Sequence, residues 1–159
     1  MKRYDAPWSP LLRWVSGLVT LLCVGLGVVL LLSGPPMARK LWMLPPAILV
    51  CCAPFTIRGY ALAGGVLEIE RLFWTTRIPL RGLTSAAVVP NAMRGSVRTL
   101  GNGGLFSFSG WYWSRALGVH RAWVTDLRHT VVLRLDSRTL VISPSPAEEF
   151  VRQIRAVSR

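Results

Sequence analysis

The sequence predicts an α+β protein: two N-terminal transmembrane helices, then an antiparallel β domain of about seven strands closed by a C-terminal helix. Three observations predict it. Residues 14–38 are 25 in a row without a charge, and most of them are apolar. Short runs in which polar and apolar residues alternate recur after residue 57. The last segment opens with helix start signals and carries a single apolar stripe.

The first apolar stretch is long enough to span, because a helix rises about 1.5 Å per residue and about 20 residues cross a bilayer core. Arg13 stands at its edge, where its stem can snorkel to the headgroups. The stretch is much longer than the hydrophobic region of a secretory signal, and Ser33-Gly34-Pro35-Pro36 makes a poor cleavage site, so it is expected to be retained. A second apolar stretch, residues 41–57, follows Arg39 and Lys40 and holds Pro45, Pro46 and Pro54. A helix opened by Pro36 and running to Ile57 would span, with a kink near Pro45-Pro46. A re-entrant or interfacial segment is the alternative. Residues 1–57 are therefore expected to form a helical hairpin anchor, and residues 58–159 the domain it carries. Ser16-x-x-x-Thr20 and Cys23-x-x-x-Gly27 are small-residue spacings that allow helices to approach closely.

Two spans return the chain to the side from which it started. Lys2, Arg3 and Arg13 precede the first span, and Arg58, Arg71 and Arg77 follow the second, against only Arg39 and Lys40 between them. Lys and Arg are retained on the cytoplasmic side, so both ends are expected there. Trp8, Trp14 and Trp42 lie near the span ends, as an aromatic belt would place them.

The formal net charge of the chain is +12, and residues 58–159 hold 14 Arg against 6 acidic residues. A domain this basic suits an anionic lipid face or nucleic acid, and the anchor favours lipid. The plainer alternative is a solvated basic surface. Cys23, Cys51 and Cys52 all lie in the apolar stretches, which rules out a disulfide framework in the domain and leaves the thiols as small hydrophobes.

In the domain, Leu67 and Ile69 share one face of an alternating run while Glu68 and Glu70 share the other. Gly64-Gly65 reads as a hairpin turn after a strand near residues 57–62. Residues 75–80 and 84–89 are further strands, with Pro79 at an edge or bulge. Val131, Leu133 and Leu135 alternate, Asp136-Ser137-Arg138 turns the chain, and Leu140 and Ile142 continue the inward face. A strand at residues 119–125 pairs before them. Ser145, Pro146 and Glu148 read as a capping box, and Ala147, Phe150, Val151, Ile154 and Val157 as the buried stripe of a helix, with Arg152, Arg155 and Arg159 off that stripe.

This order resembles the membrane-anchored form of the bacterial pleckstrin-homology-like (PH-like) domain family. The resemblance covers residues 55–157 and rests on four stretches. They are residues 60–72 leading to Ile78-Pro79-Leu80-x-x-Leu83, Gly101-Asn102-Gly103-Gly104-Leu105, Arg121-Ala122-Trp123-Val124-Thr125-Asp126 followed by residues 131–135, and the helix at residues 145–157. It implies two bent antiparallel sheets packed orthogonally with a helix capping one end, no catalytic residues, and a bacterial inner membrane as the location. It supplies architecture and little mechanism.

No constellation for catalysis, metal or cofactor binding is legible. His120 and His129 stand apart from any cysteine, and a zinc site would need more ligands at closer spacing. Asp126 reads as a turn acceptor, and nothing resembles a nucleophile elbow or a P-loop. Residues 90–118 are too long for a simple hairpin connection. They combine Gly95, Gly101, Gly103, Gly104 and Gly110 with Phe106, Phe108, Trp111, Tyr112 and Trp113, and with Arg94, Arg98 and Arg115. Glycines free backbone N–H groups to face an anion, and aromatics beside arginines suit a headgroup interface. Arg94, Arg98, Gly101, Asn102, Gly103, Gly104, Phe106, Phe108, Trp111, Trp113 and Arg115 are accordingly the candidate contacts with membrane or partner. The structural alternative is that the glycines make turns and the tryptophans pack inside.

The expected function is a non-enzymatic, membrane-anchored binding or scaffold module facing the cytoplasm, with membrane lipid and a protein partner or second copy as its contacts. The alternative is an accessory subunit of a larger transport or envelope-assembly complex. Nucleic acid is not expected, because the spans would confine such binding to the membrane surface.

Overall fold

The computed structural model describes Lys2 to Val157, the last by its backbone alone. The chain opens with a strand that its sequence does not announce. β1 (Lys2–Asp5) pairs antiparallel with β2 (Ile57–Ala63), setting Tyr4 opposite Tyr60. Only Tyr4 of this four-residue strand is buried, too short a pattern to read as an alternation. Residues 2–5, counted above with the anchor, are thus the edge of the first sheet, and both limbs of the intervening hairpin start from that sheet.

The outgoing limb is a single helix, α1 (Pro10–Ser33). Ser9 caps it by accepting the Leu12 N–H at 3.2 Å, and Pro10 occupies the first position, where its missing N–H costs nothing. The expected second transmembrane helix is not formed. The chain returns through α2 (Pro36–Arg39), a turn, α3 (Leu44–Cys52) and a 3₁₀ turn at Ala53–Phe55. Pro45 and Pro46 cannot donate to the carbonyls of Leu41 and Trp42, so α3 begins afresh at Leu44. Pro54 then falls in the 3₁₀ turn that follows Cys52. Among the described residues α1 alone is long and apolar enough to cross a bilayer. Gly27 lets the limbs meet: a Cβ there would lie 3.0 Å from the Trp42 carbonyl oxygen and 3.3 Å from Pro46 Cδ.

All seven expected strands form, with three more. The first sheet runs β1-β2-β3-β4, with β3 at Val66–Arg71 and β4 at Thr75–Pro79. The second contains β5 (Leu83–Val88), β6 (Val97–Gly103), β7 (Phe108–Ser114), β8 (Gly118–Val124), β9 (Val131–Leu135) and β10 (Arg138–Ile142), in the order β5-β9-β10-β8-β7-β6. It departs from pure antiparallel pairing at β8 and β10, which run parallel. β6 and β7 replace the long connection expected at residues 90–118. Three glycines in fourteen strand residues, and apolar side chains on both faces of β7, hid the alternation.

The main core lies between the sheets and α4 (Ala147–Val157). Leu67, Ile69, Trp123, Leu133, Leu140 and Ile142 are fully or almost fully buried in it. Phe150 and Ile154 of α4 are fully buried against them, and Ala147 and Val151 nearly so. The Val157 side chain and Arg159 lie outside the described residues. The expected capping box is replaced by backbone pairing: the Ser145 N–H donates to the Asp5 carbonyl at 2.9 Å. β1 therefore ties the start of α4 to the first sheet. A second cluster, containing Met93, Tyr112, Ala122, Val124, Val132 and Val141, forms on the other face of the second sheet.

Tyr60 joins the two sheets by a buried polar network. Its hydroxyl donates to the Trp123 carbonyl at 2.7 Å and accepts the Ser143 N–H at 3.3 Å, while Ser143 Oγ accepts the N–H groups of Thr125 and Asp126. Burial pushes the Tyr60 hydroxyl up to about 12. It therefore stays neutral where an unfolded tyrosine, near 10.0, ionises. Stability is fully present below that lower value and is lost as pH rises through the upper one, by about 3 kcal/mol in all. Tyr60→Phe is expected to cost about 1–3 kcal/mol at neutral pH and to remove this alkaline loss, as read by chemical unfolding at pH 7 and at pH 11.

Candidate functional site

The glycine-rich motif forms a socket for the hairpin. Gly101 and Gly110 pair across β6 and β7, with φ of 119° and 145°, and a Cβ on Gly110 would lie 2.1 Å from the Leu100 carbonyl oxygen. Only glycine permits this approach. Asn102 then holds the turn that follows: its Oδ1 accepts the Leu105 N–H at 3.2 Å and its amide donates to the Leu105 carbonyl, while its own carbonyl accepts the Tyr112 hydroxyl at 2.8 Å. The turn grips both limbs. The Phe106 N–H donates to Ser16 Oγ of α1 at 3.0 Å, and Ser107 Oγ donates to the Phe55 carbonyl at the foot of the return limb, also at 3.0 Å. Trp8 packs on Phe106 with ring centroids 6.3 Å apart, and the Ser9 N–H donates to the Thr125 carbonyl. Ser16, singled out above as a helix-packing residue, is buried in this socket together with Leu12.

The expected contact residues therefore divide. Gly101, Asn102, Gly103 and Gly104 shape the socket or the strands leading into it, and Phe106 and Phe108 are half-buried around it. Trp111 and Trp113 point to the face opposite Tyr112, 37% and 45% exposed, and neither is a core residue. Arg98 reaches back to the Gly101 carbonyl at 3.2 Å. Arg94 and Arg115 are exposed and lie outside the cavity described next.

Between the sheets, at the foot of the hairpin, lies a cavity of about 500 Å³. Cys52 and Phe55 wall it from the hairpin side, Leu100, Trp111 and Trp123 from the second sheet, and Arg71, Arg98 and Arg121 carry its charge. Two of these arginines were missed as site residues, yet the strand period points at both. Arg71 continues the inward face of Leu67 and Ile69, and Arg121 that of Trp123. Arg121 stands over the rings of Trp123 at 4.6 Å and Trp111 at 5.4 Å, and Arg71 over Phe55 and Trp74, each at 5.6 Å. Among the described residues no carboxylate pairs with either guanidinium, and the Nε groups of both are buried without a hydrogen-bond partner. Burial, and then the repelling charge of Arg121, pushes Arg71 below its usual range.

Taken with the two facing sheets and the helix that closes them, one comparison decides the family. The family model for the bacterial PH domain matches residues 58–158. The chain belongs to the bacterial PH domain family. No curated protein and no solved structure matches it. PH domains in general are non-catalytic binding modules, and they typically bind lipids or proteins. Asp126 in this PH domain accepts the Arg128 N–H at 2.9 Å and faces His129 Nδ1 at 2.7 Å, the turn-holding role its position suggested. A second cavity of about 560 Å³, beside Gly64, Arg81 and Ile154, is lined by no buried side-chain polar atom without a partner among the described residues.

Proposed function

We propose that this PH domain is a non-enzymatic binding or scaffold module, held against the bacterial inner membrane by residues 10–55 and facing the cytoplasm. The observation that carries this reading is the hairpin itself. Its limbs leave and re-enter one sheet, and between them α1 projects leucines and valines that the domain leaves uncovered, with Leu21, Leu22 and Leu32 61–70% exposed. Water does not favour so long an apolar surface, and a bilayer does. Residues 17–33, clear of the socket, rise about 25 Å, a little less than a hydrocarbon core of about 30 Å. The domain then sits directly on the headgroups, with Trp14, Phe73 and Trp74, which are 79%, 74% and 41% exposed, at the interface. The return limb comes back from the hairpin tip packed on α1, which keeps its broken backbone off the lipid.

The cytoplasmic orientation rests on Lys2, Arg3, Arg13, Arg58, Arg71 and Arg77 against Arg39 and Lys40 at the hairpin tip. A reporter that works only in the cytoplasm should be active when fused after Arg159, and one that works only outside should be silent. The reverse pattern would overturn the orientation.

One observation favours a second reading, an accessory subunit of a larger membrane complex. Val97, Trp113 and Val119 lie opposite one another on a single face of the second sheet, and Val97 and Val119 are more than 60% exposed. A stoichiometric partner that stays bound through purification, and is released by Trp113→Glu, would select that reading.

A further inference from the structure

We propose that the cavity between the sheets is an anion site that takes the phosphate monoester of an anionic phospholipid of the phosphatidic acid type, with the acyl chains running out along the hairpin. The inference rests on the membrane reading above and adds to it a ligand class and the residues that hold it.

Two cations of like sign face one cavity from different sheets, Arg71 at the end of β3 and Arg121 in β8, and the described chain supplies no anion to either. A buried, unmatched Nε–H on both is a cost the fold bears without return unless a ligand accepts from them. Guanidinium forks present parallel N–H groups that match phosphate oxygens two at a time. Two forks call for more acceptors than one carboxylate offers, and a phosphate monoester, with a charge of about −1.5 to −2, balances two cations. Phe55, Trp74, Trp111 and Trp123 hold the guanidinium planes in place, so the forks are set before the ligand arrives.

The walls argue for a lipid over free phosphate. Cys52 and Phe55 belong to the hairpin itself, and Leu100, 69% exposed, stands with Trp111 across from them. A headgroup seated between Arg71 and Arg121 thus has apolar surface continuous with α3 beside it. Inorganic phosphate would meet the same forks but would leave that apolar surface to water.

The test uses the full chain in a non-ionic detergent, with phosphatidic acid, phosphatidylcholine or inorganic phosphate added at equal concentration. Phosphatidic acid is expected to raise the melting temperature by several degrees, phosphatidylcholine not to, and inorganic phosphate to do so much less. The double variant Arg71→Gln, Arg121→Gln should lose the phosphatidic acid shift, with affinity at least about tenfold weaker, while Arg138→Gln keeps it. Without lipid the double variant should melt no lower than wild type, because it removes two unmatched charges; a purely structural role for the pair would lower it. Native mass spectrometry of wild type, which does not depend on any variant folding, should find one phosphatidic acid per chain. No such adduct, or a shift that survives in the double variant, would overturn the site. Equal shifts with inorganic phosphate would overturn the lipid assignment. Carbonate extraction of the same double variant reads the anchor separately: it should stay with the membranes whichever way the cavity experiment falls.

Discussion

Phe150→Ala should destabilise the domain by about 3–5 kcal/mol, a large part of what holds a domain of this size together. Phe150 is fully buried in α4, within the cluster that includes Ile154, Leu133 and Leu140, and its ring meets Tyr4 edge-on with centroids 5.1 Å apart. Truncation removes the ring from three partners at once: the second sheet, the rest of α4, and β1. The last of these has a consequence beyond the core. β1 pairs with β2 and bonds to Ser145, so loosening Phe150 frees the edge strand from which the outgoing limb of the hairpin departs. Urea unfolding of the full chain in detergent measures the loss, and Phe150→Leu should recover more than half of it. An unchanged midpoint in Phe150→Ala would mean that α4 does not close the sheets.

The second large effect concerns the bilayer. Leu22 and Leu26 lie one turn apart on α1, 61% and 52% exposed. Replacing both with arginine places two charges near the middle of the apolar limb, at a cost of about 2.5–3.5 kcal/mol each for insertion. Neither side chain belongs to the core, so the domain's own melting should barely move. The variant should leave the membrane pellet on carbonate extraction, where wild type stays. Retention of the double-arginine variant would mean that α1 is not what holds the protein to membranes, and that its leucines cover a protein surface instead.

These two outcomes separate the parts of the molecule that the sequence states in different ways. The seven strands read between residues 57 and 142 were legible because apolar residues recur at period two toward the main core, even where β8, β9 and β10 are buried on their other face as well. The buried stripe of α4 was legible for the corresponding reason at helical period. β6 and β7 were not, because glycines occupy the close cross-strand pair and β7 is apolar on both faces, one turned to the Met93 cluster and the other to the cavity and solvent. The same segment holds the candidate contacts, of which Arg98, Gly101, Asn102 and Trp111 line the cavity. Gly101 to Gly104, read from the sequence as a run whose backbone could face an anion, lead into a turn that clamps Ser16 and Phe55. Arg71 and Arg121 looked like two more basic residues in a basic chain. Each lies two residues from a buried apolar neighbour on the same strand face, Arg71 after Ile69 and Arg121 before Trp123, and that spacing is legible in the sequence.

By itself the sequence determined the local facts: one long uncharged apolar helix, the alternating strands, the amphipathic closing helix and an excess of arginine over acid. Each follows from spacing along the chain, which fixes which side chains share a face. The tertiary structure alone decided the relations between distant segments. It paired Lys2–Asp5 with Ile57–Ala63 and seated the base of α1 on the turn after β6. It also brought Arg71 and Arg121, fifty residues apart, to one cavity with no counter-ion among the described residues. Such relations depend on which surfaces remain to be covered once the local elements exist. A four-residue strand has no stable partner in its own neighbourhood, and an arginine has no local signature of a missing anion. Both are defined only by what the folded chain places opposite them.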